Sequence, residues 1–281
     1  MTKTPYNVII SILFINLIKG NNMFGNLTLK IKQHRFLFEE LVKRDFVKKY
    51  KRTVLGMLWS VLGPLMTLGV MALVFTHFFG RNIEHFIIYM FCGNLVYSFF
   101  KESTLTGMTS LYDNAGIFSK VNVPKYMFLL SKNVATIINF GINLLVLFAF
   151  CIGDGVSITW KFILLIYPIG CLTIFNLGSG FILSALYLMF RDMKYLYDIF
   201  TMLLMYVSAI FYSTDSYSET IQKLFYINPI YGYISYFRMI ILEGTIPPWW
   251  LHLINAGYAF LFLIIGMAIY KKKNYKFLYY I

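Results

Sequence analysis

Six stretches of the chain contain no Asp, Glu, Lys or Arg: Gly56 to Gly80, Phe86 to Phe100, Asn133 to Gly153, Phe162 to Phe190, Ile199 to Thr214, and Ile246 to Tyr270. A helix crossing the hydrocarbon of a bilayer needs about 20 apolar residues, and in lipid only helices or closed barrels satisfy their own backbone groups. These runs are too long and continuous for barrel strands. The pattern therefore predicts an all-α integral membrane fold with six transmembrane helices over 56–270. Two of the runs are short. Phe86 to Phe100 is expected to continue through Lys101 and Glu102 into "STLTGMTSL". Ile199 to Thr214 is marginal, and the moderately apolar stretch that follows has no clean span. That region, 211–248, is expected to form re-entrant half-helices that dip in and return before the last span, broken at Asn228-Pro229 and Pro247-Pro248.

Ahead of the first run the pattern changes period. Leu37, Phe38, Leu41, Val42, Phe46 and Tyr50 recur at helical spacing, and Lys43, Arg44, Lys48 and Lys51 fill the opposite arc. Residues 30–55 thus predict a cytoplasmic amphipathic helix at the membrane interface. Asp45 and Lys49 fall on its apolar side, which predicts a face that meets protein as well as lipid. The cations continue to Arg52, and Trp59 follows a few residues into the first span, where an indole bridges headgroup and hydrocarbon. Pro64, with Gly63 and Gly69, lets that span bend or pack closely. Residues 1–29 form an N-terminal extension whose apolar core, Val8 to Ile18, is too short to span, and translation from Met23 is as well supported as from Met1. Residues 271–281 are a basic tail.

Composition sharpens the class. Of 281 residues 59% are hydrophobic and 13% charged, against about 25% charged in soluble domains. Among the 25 Lys and Arg, only Arg81, Lys161, Lys223 and Arg238 fall in the segments that six spans place opposite the termini. This asymmetry predicts that both termini are cytoplasmic. The formal charge of +13 then marks anchoring to an anionic leaflet, with no nucleic-acid partner implied. Cys92, Cys151 and Cys171 lie in apolar runs without metal-type spacing and read as packing residues.

Catalytic groups are sparse. No Gly-Lys dipeptide exists, so there is no phosphate-binding loop of the GxxxxGK[ST] kind. The four histidines form no ligand cluster, so no metal site is expected. Apart from the Lys101-Glu102 margin, the spans lack the ionisable groups that ion-coupled transporters carry. The chain is expected to be no enzyme, to hold no cofactor of its own, and to draw any power for uphill transport from elsewhere. The loop 110–125, "SLYDNAGIFSKVNVPK", reads as a short helix along the membrane face presenting apolar side chains to a partner groove. The segment from Phe211 to Trp250 is dense in Tyr and Phe, which suits either a sugar track or an interfacial aromatic belt.

Taken together, these segments resemble the permease subunit of type-2 ABC exporters, in the branch that exports O-antigen, capsular polysaccharide or teichoic acid. The resemblance rests on "RDFVKKYKRTVLGMLWSVLGPL", "DNAGIFSKVNVPK" and "INPIYGYISYFR" and covers most of the chain after Met23. It assigns Arg44, Asp45, Tyr50, Arg52, Gly56 and Trp59 to the interfacial helix and gate. It assigns Asn114, Ala115, Ile117, Phe118, Lys120, Val121 and Pro124 to the helix that couples to the ATPase, and Asn228, Pro229 and Arg238 to the re-entrant region. It further implies a homodimeric pore in the bacterial cytoplasmic membrane, two separate ABC ATPase subunits that hold ATP and Mg, and a lipid-linked glycan as cargo. Phe75, Phe79, Tyr206, Phe211 and Tyr212 are the channel aromatics that depth suggests. A drug or small-lipid exporter of the same architecture, and a membrane enzyme acting on lipid carriers through Asp113, Asp192 and Asp198, are the competing readings.

Overall fold

The computed structural model describes residues 23–51, 53–79, 83–120, 123–274, 277 and 279. The first 22 residues, Arg52, Arg81 and Val121 lie outside the described residues, as do the side chains of Tyr50 and Phe79. By its internal contacts the chain divides into Met1–Glu40 and Leu41–Ile281. In the first unit an exposed Arg35–Glu39 pair closes at 2.7 Å, four residues apart on a helix.

The described elements are all helical. They are α1 (Met23–Tyr50), α2 (Trp59–Phe79), α3 (Phe86–Asp113), α4 (Ala115–Phe118), α5 (Tyr126–Gly153), α6 (Ile166–Met189), α7 (Met193–Val207), α8 (Glu219–Phe225), α9 (Pro229–Ile241) and α10 (Trp249–Lys273). Among the described residues, four helices are long and apolar enough to cross a bilayer: Gly56–His77, Tyr126–Gly153, Trp160–Met189 and Trp249–Lys273. The other two runs behave differently. Helix α3 does continue past Lys101 and Glu102, to Asp113, and its 28 residues are long enough but polar in the second half. Helix α7 has 15 residues, about 22 Å at roughly 1.5 Å per residue.

Helix α3 is central, touching α2, α5, α6 and α9. The core around it includes Ile88, Phe91, Val96, Phe140, Phe175, Tyr233 and Phe237. Leu73, Leu145, Ile163, Ile199 and Ile264 instead point outward and are exposed, an arrangement suited to hydrocarbon. Helices α6 and α10 form the most extensive pairing, and it is made possible by missing side chains. A Cβ on Gly178 would lie 2.4 Å from Leu263 N, and one on Gly266 would lie 2.4 Å from Gly178 O. Small residues that let backbones approach are how helices associate in lipid.

Two boundaries depart from the sequence expectation. The interfacial helix does not pass directly into the first span: α1 stops at Tyr50 and a 3-10 turn, Gly56–Leu58, precedes α2, with Gly56 at φ 53°. The run Ile199 to Thr214 is helical only to Val207, because Ala209 adopts φ 50° and the carbonyls of Ala209 and Ile210 are taken by the Arg238 guanidinium. The chain breaks fall as the prolines require: Pro229 opens α9 and Pro248 precedes α10.

Candidate functional site

At one end of the bundle, charged groups join α1, α3 and α5. The Asp45 side chain is 2% exposed. Its Oδ1 accepts from Arg44 Nη2 at 2.7 Å and its Oδ2 from Ser131 Oγ at 2.9 Å. Lys132 Nζ lies 3.7 Å from Asp45 and 3.6 Å from Asp113, the last residue of α3. Four residues on from Asp45, Lys49 Nζ donates to Glu102 Oε1 at 2.6 Å, and Asn139 Nδ2 donates to the same oxygen at 3.2 Å. The two charges that spoil the amphipathic pattern of α1 are thus the ones that hold its second half to the bundle. Gly56, half-buried, opens the turn that follows, and Trp59, exposed, is the first residue of α2.

The loop after α3 turns on Asn114. Its side chain is buried and Nδ2 donates to Ser110 O at 2.7 Å, while its carbonyl accepts from Ile117 N at 2.9 Å, so α3 ends and the single turn α4 starts on the same residue. Phe118, assigned to the coupling helix, points into the chain itself. It is 6% exposed, with its ring 6.0 Å from Phe128 and Lys125 Nζ 5.6 Å above it. The reason is geometric: a single helical turn has one inner face, and Phe118 occupies it. Gly116, Ser119 and Lys120 are exposed, and Ala115, Ile117 and Pro124 half-buried. Lys125 also donates to Asn274 O at 2.9 Å and sits 5.5 Å from the Phe277 ring, so the segment after α10 packs beside this loop. Burial lowers the Lys125 pKa.

At the opposite end, Asn228 caps α9. Its Oδ1 accepts from Ile230 N at 3.0 Å, and its Nδ2 donates to Ser208 Oγ at 2.8 Å. Arg238, counted in the sequence among the four cations of the segments opposite the termini, is buried, at 6% exposure. Its guanidinium donates to the carbonyls of Tyr89 (3.3 Å), Ala209 (3.0 Å) and Ile210 (3.2 Å) and lies 3.4 Å from the centre of the Tyr89 ring. Gly93 makes room for it, since a Cβ there would stand 3.1 Å from Nη2. The signal available in the sequence was the unbroken apolar company of Arg238, Tyr-Phe before it and Met-Ile-Ile after it.

Of the aromatics chosen by depth, Phe75 stacks on Phe211 at 4.2 Å, and Tyr206 lies 6.2 Å from Phe211. Tyr212 donates to Tyr206 O at 3.0 Å. They form one cluster, yet Phe211 is 3% exposed and packs as core within the chain, while Tyr206 is open. Sequence reasoning missed Ser131, Lys132 and Glu102, which meet α1 only through tertiary contacts, and Asn139, which joins them through Glu102. Among the described residues no His, Cys, Asp and Glu gather in metal-binding groups.

Comparison with known proteins places this arrangement. The family described as ABC-2 type transporter matches residues 37–242, well over half of the chain. Two proteins of Klebsiella pneumoniae, each named O-antigen export system permease protein RfbA, are similar. One is 27% identical over 257 residues, covering 89% of this chain and 98% of the relative. The other is 27% identical over 247 residues, covering 86% and 95%. A Myxococcus xanthus protein of the same name is 25% identical over 220 residues, covering 78% and 85%. With a match that runs from α1 through the buried Arg238 to the end of α9, the chain belongs to the ABC-2 type transporter family.

Proposed function

We propose that this chain is the membrane-spanning permease subunit of an ATP-driven exporter moving a lipid-linked polysaccharide across the bacterial cytoplasmic membrane. The observation that carries the reading is the near full-length similarity to three O-antigen export permeases, which spans 78 to 89% of this chain. In this reading α2, α3, α5, α6, α7 and α10 are six spans, both termini are cytoplasmic, and α8 and α9 dip in from the other side. The skew of Lys and Arg supports that orientation. A second copy completes the pore. Two separate ATPase subunits hold ATP and Mg and grip residues 110–125.

The geometry gives this coupling a route. A push on the exposed face of α4 acts on α3 at Asn114. Asp113, Lys132 and Asp45 then connect α3 to α5 and the interfacial helix. Ile117 is the half-buried apolar side chain on that turn, so Ile117→Asp tests the docking face without emptying the core. In the purified complex, ATP hydrolysis stimulated by the permease is expected to fall by about tenfold or more, within the usual range of coupling energies, with the permease still folded. Unchanged stimulation would remove this loop from the interface. Vesicles holding this chain alone are expected to translocate no glycan, and vesicles holding chain, ATPase and ATP to do so; pumping by the chain alone would defeat the reading.

A further inference from the structure

A cleft of about 150 Å³ runs between α2, α3 and α5. Asn94, Ser98, Thr136, Asn139 and Asn143 line it with amides and hydroxyls, and Trp59, Phe91 and Phe140 add aromatic rings. The stretch of α3 along it, Phe91 to Glu102, covers roughly 16 Å at about 1.5 Å per residue. That is half the ~30 Å hydrocarbon thickness. A polar cleft at such depth departs from what lipid contact favours, and polar groups inside a membrane mark substrate pathways.

One of these groups, the Asn143 carboxamide, is only partly satisfied by the protein. Thr136 Oγ1 donates to Asn133 O at 2.8 Å, and Asn143 Nδ2 donates to Asn139 O at 2.9 Å. The Asn143 Oδ1 is buried without a hydrogen-bond partner among the described residues. Asn94 Oδ1 accepts from Ser98 at 3.3 Å. Carboxamides offer both donor and acceptor, as a sugar hydroxyl does, and ring faces suit the C–H face of a sugar.

The mouth of the cleft is guarded. Lys49, Glu102, Thr136 and Asn139 also line a second cavity of about 430 Å³, whose other walls include Asp45, Lys48 and Lys132. The 2.6 Å Lys49–Glu102 pair therefore stands on the partition between a charged cavity and an uncharged polar one. We propose that the inner cleft is a subsite for one neutral, hydroxyl-rich sugar unit of the cargo, and that Lys49–Glu102 is the latch that closes it toward the charged cavity. This rests on the polysaccharide-export reading above. Lys49 and Glu102 neutralise each other, and the other lining groups carry no charge, so the cleft offers no surplus cation to hold an anionic group.

Two measurements on the full permease–ATPase complex in native membranes test the proposal. The first reads the latch. Asn94→Cys, at a lining position that is 5% exposed with the pair closed, is modified by a charged methanethiosulfonate reagent against the baseline of the parent chain, whose three cysteines are buried. Lys49→Ala is expected to speed that reaction several-fold, and the exchange Lys49→Glu with Glu102→Lys to restore the slow rate. An unchanged rate in Lys49→Ala, or a fast rate in the charge exchange, overturns the latch. The second reads the cargo. A photoreactive diazirine side chain at Ser98 is expected to capture periodate-reactive carbohydrate in cells that make the glycan, beyond what the same group captures at Leu73, which is 83% exposed. Equal capture at both positions, with surface glycan still dependent on the chain, overturns the subsite and leaves the export function standing. Surface glycan independent of the chain overturns the export function itself, and the subsite with it.

Discussion

Gly178 is where α6 and α10 come closest, and it sets a sharp test of how this fold is held. A Cβ there would lie 2.4 Å from Leu263 N and Phe262 C and 2.6 Å from Phe262 O, whereas ordinary contact begins at 3.4 Å. Gly178→Ala must therefore push the helices apart by about 1 Å. Sliding away is resisted at both ends of the pairing. Tyr167 donates to His252 O at 2.7 Å, and the Phe181 and Tyr270 rings meet at 4.9 Å. Overpacking costs about 1–3 kcal/mol in general. Helices in lipid rely on van der Waals contact rather than on the hydrophobic effect, so about 3 kcal/mol is expected here. The assay is unfolding of the detergent-solubilised protein by added dodecyl sulfate, followed by circular dichroism. Gly170→Ala and Gly257→Ala are the controls: they lie on the same two helices with nothing within 4 Å of the new Cβ. Alanine for glycine in an open helical position is neutral to favourable by about 0.5–1 kcal/mol. The midpoint should fall clearly for Gly178→Ala and stay or rise for the controls. Equal midpoints for Gly178→Ala and Gly170→Ala would refute the close-packing argument.

Two further perturbations probe the charged groups. In Arg238→Lys a single ammonium cannot reach the Tyr89, Ala209 and Ile210 carbonyls with the guanidinium's fork. Stranding a buried carbonyl costs about 1–3 kcal/mol, so amide exchange over 208–228 should accelerate; identical exchange would show that the cage is not what holds this segment. Asp45→Ala removes the shared partner of Arg44, Ser131 and Lys132. Breaking such a pair costs about 3 kcal/mol, and protease cleavage within 41–50 should become faster; an unchanged rate would mean that Lys49–Glu102 alone anchors the helix.

The sequence determined what depends on neighbours along the chain. Charge-free runs marked the apolar helices. Asn228-Pro229 and Pro247-Pro248 marked the breaks, because proline removes a helical donor whatever surrounds it. Three short motifs carried the family resemblance, which the match over 37–242 meets. The off-pattern Asp45 and Lys49 were visible as exceptions, but their partners were not.

Tertiary structure decided everything that depends on which face meets which. Phe118 turns inward because Phe128 and Lys125 stand beside it. Arg238 is buried because the broken end of α7 and the Tyr89 carbonyl supply acceptors that no local pattern encodes. Phe211 packs on Phe75, more than a hundred residues earlier in the chain. The polar cleft is likewise a product of three helices, each of which contributes amides or hydroxyls that look unremarkable along its own span. Periodicity is a property of one helix, while burial, ion pairing and cavities are properties of several held together.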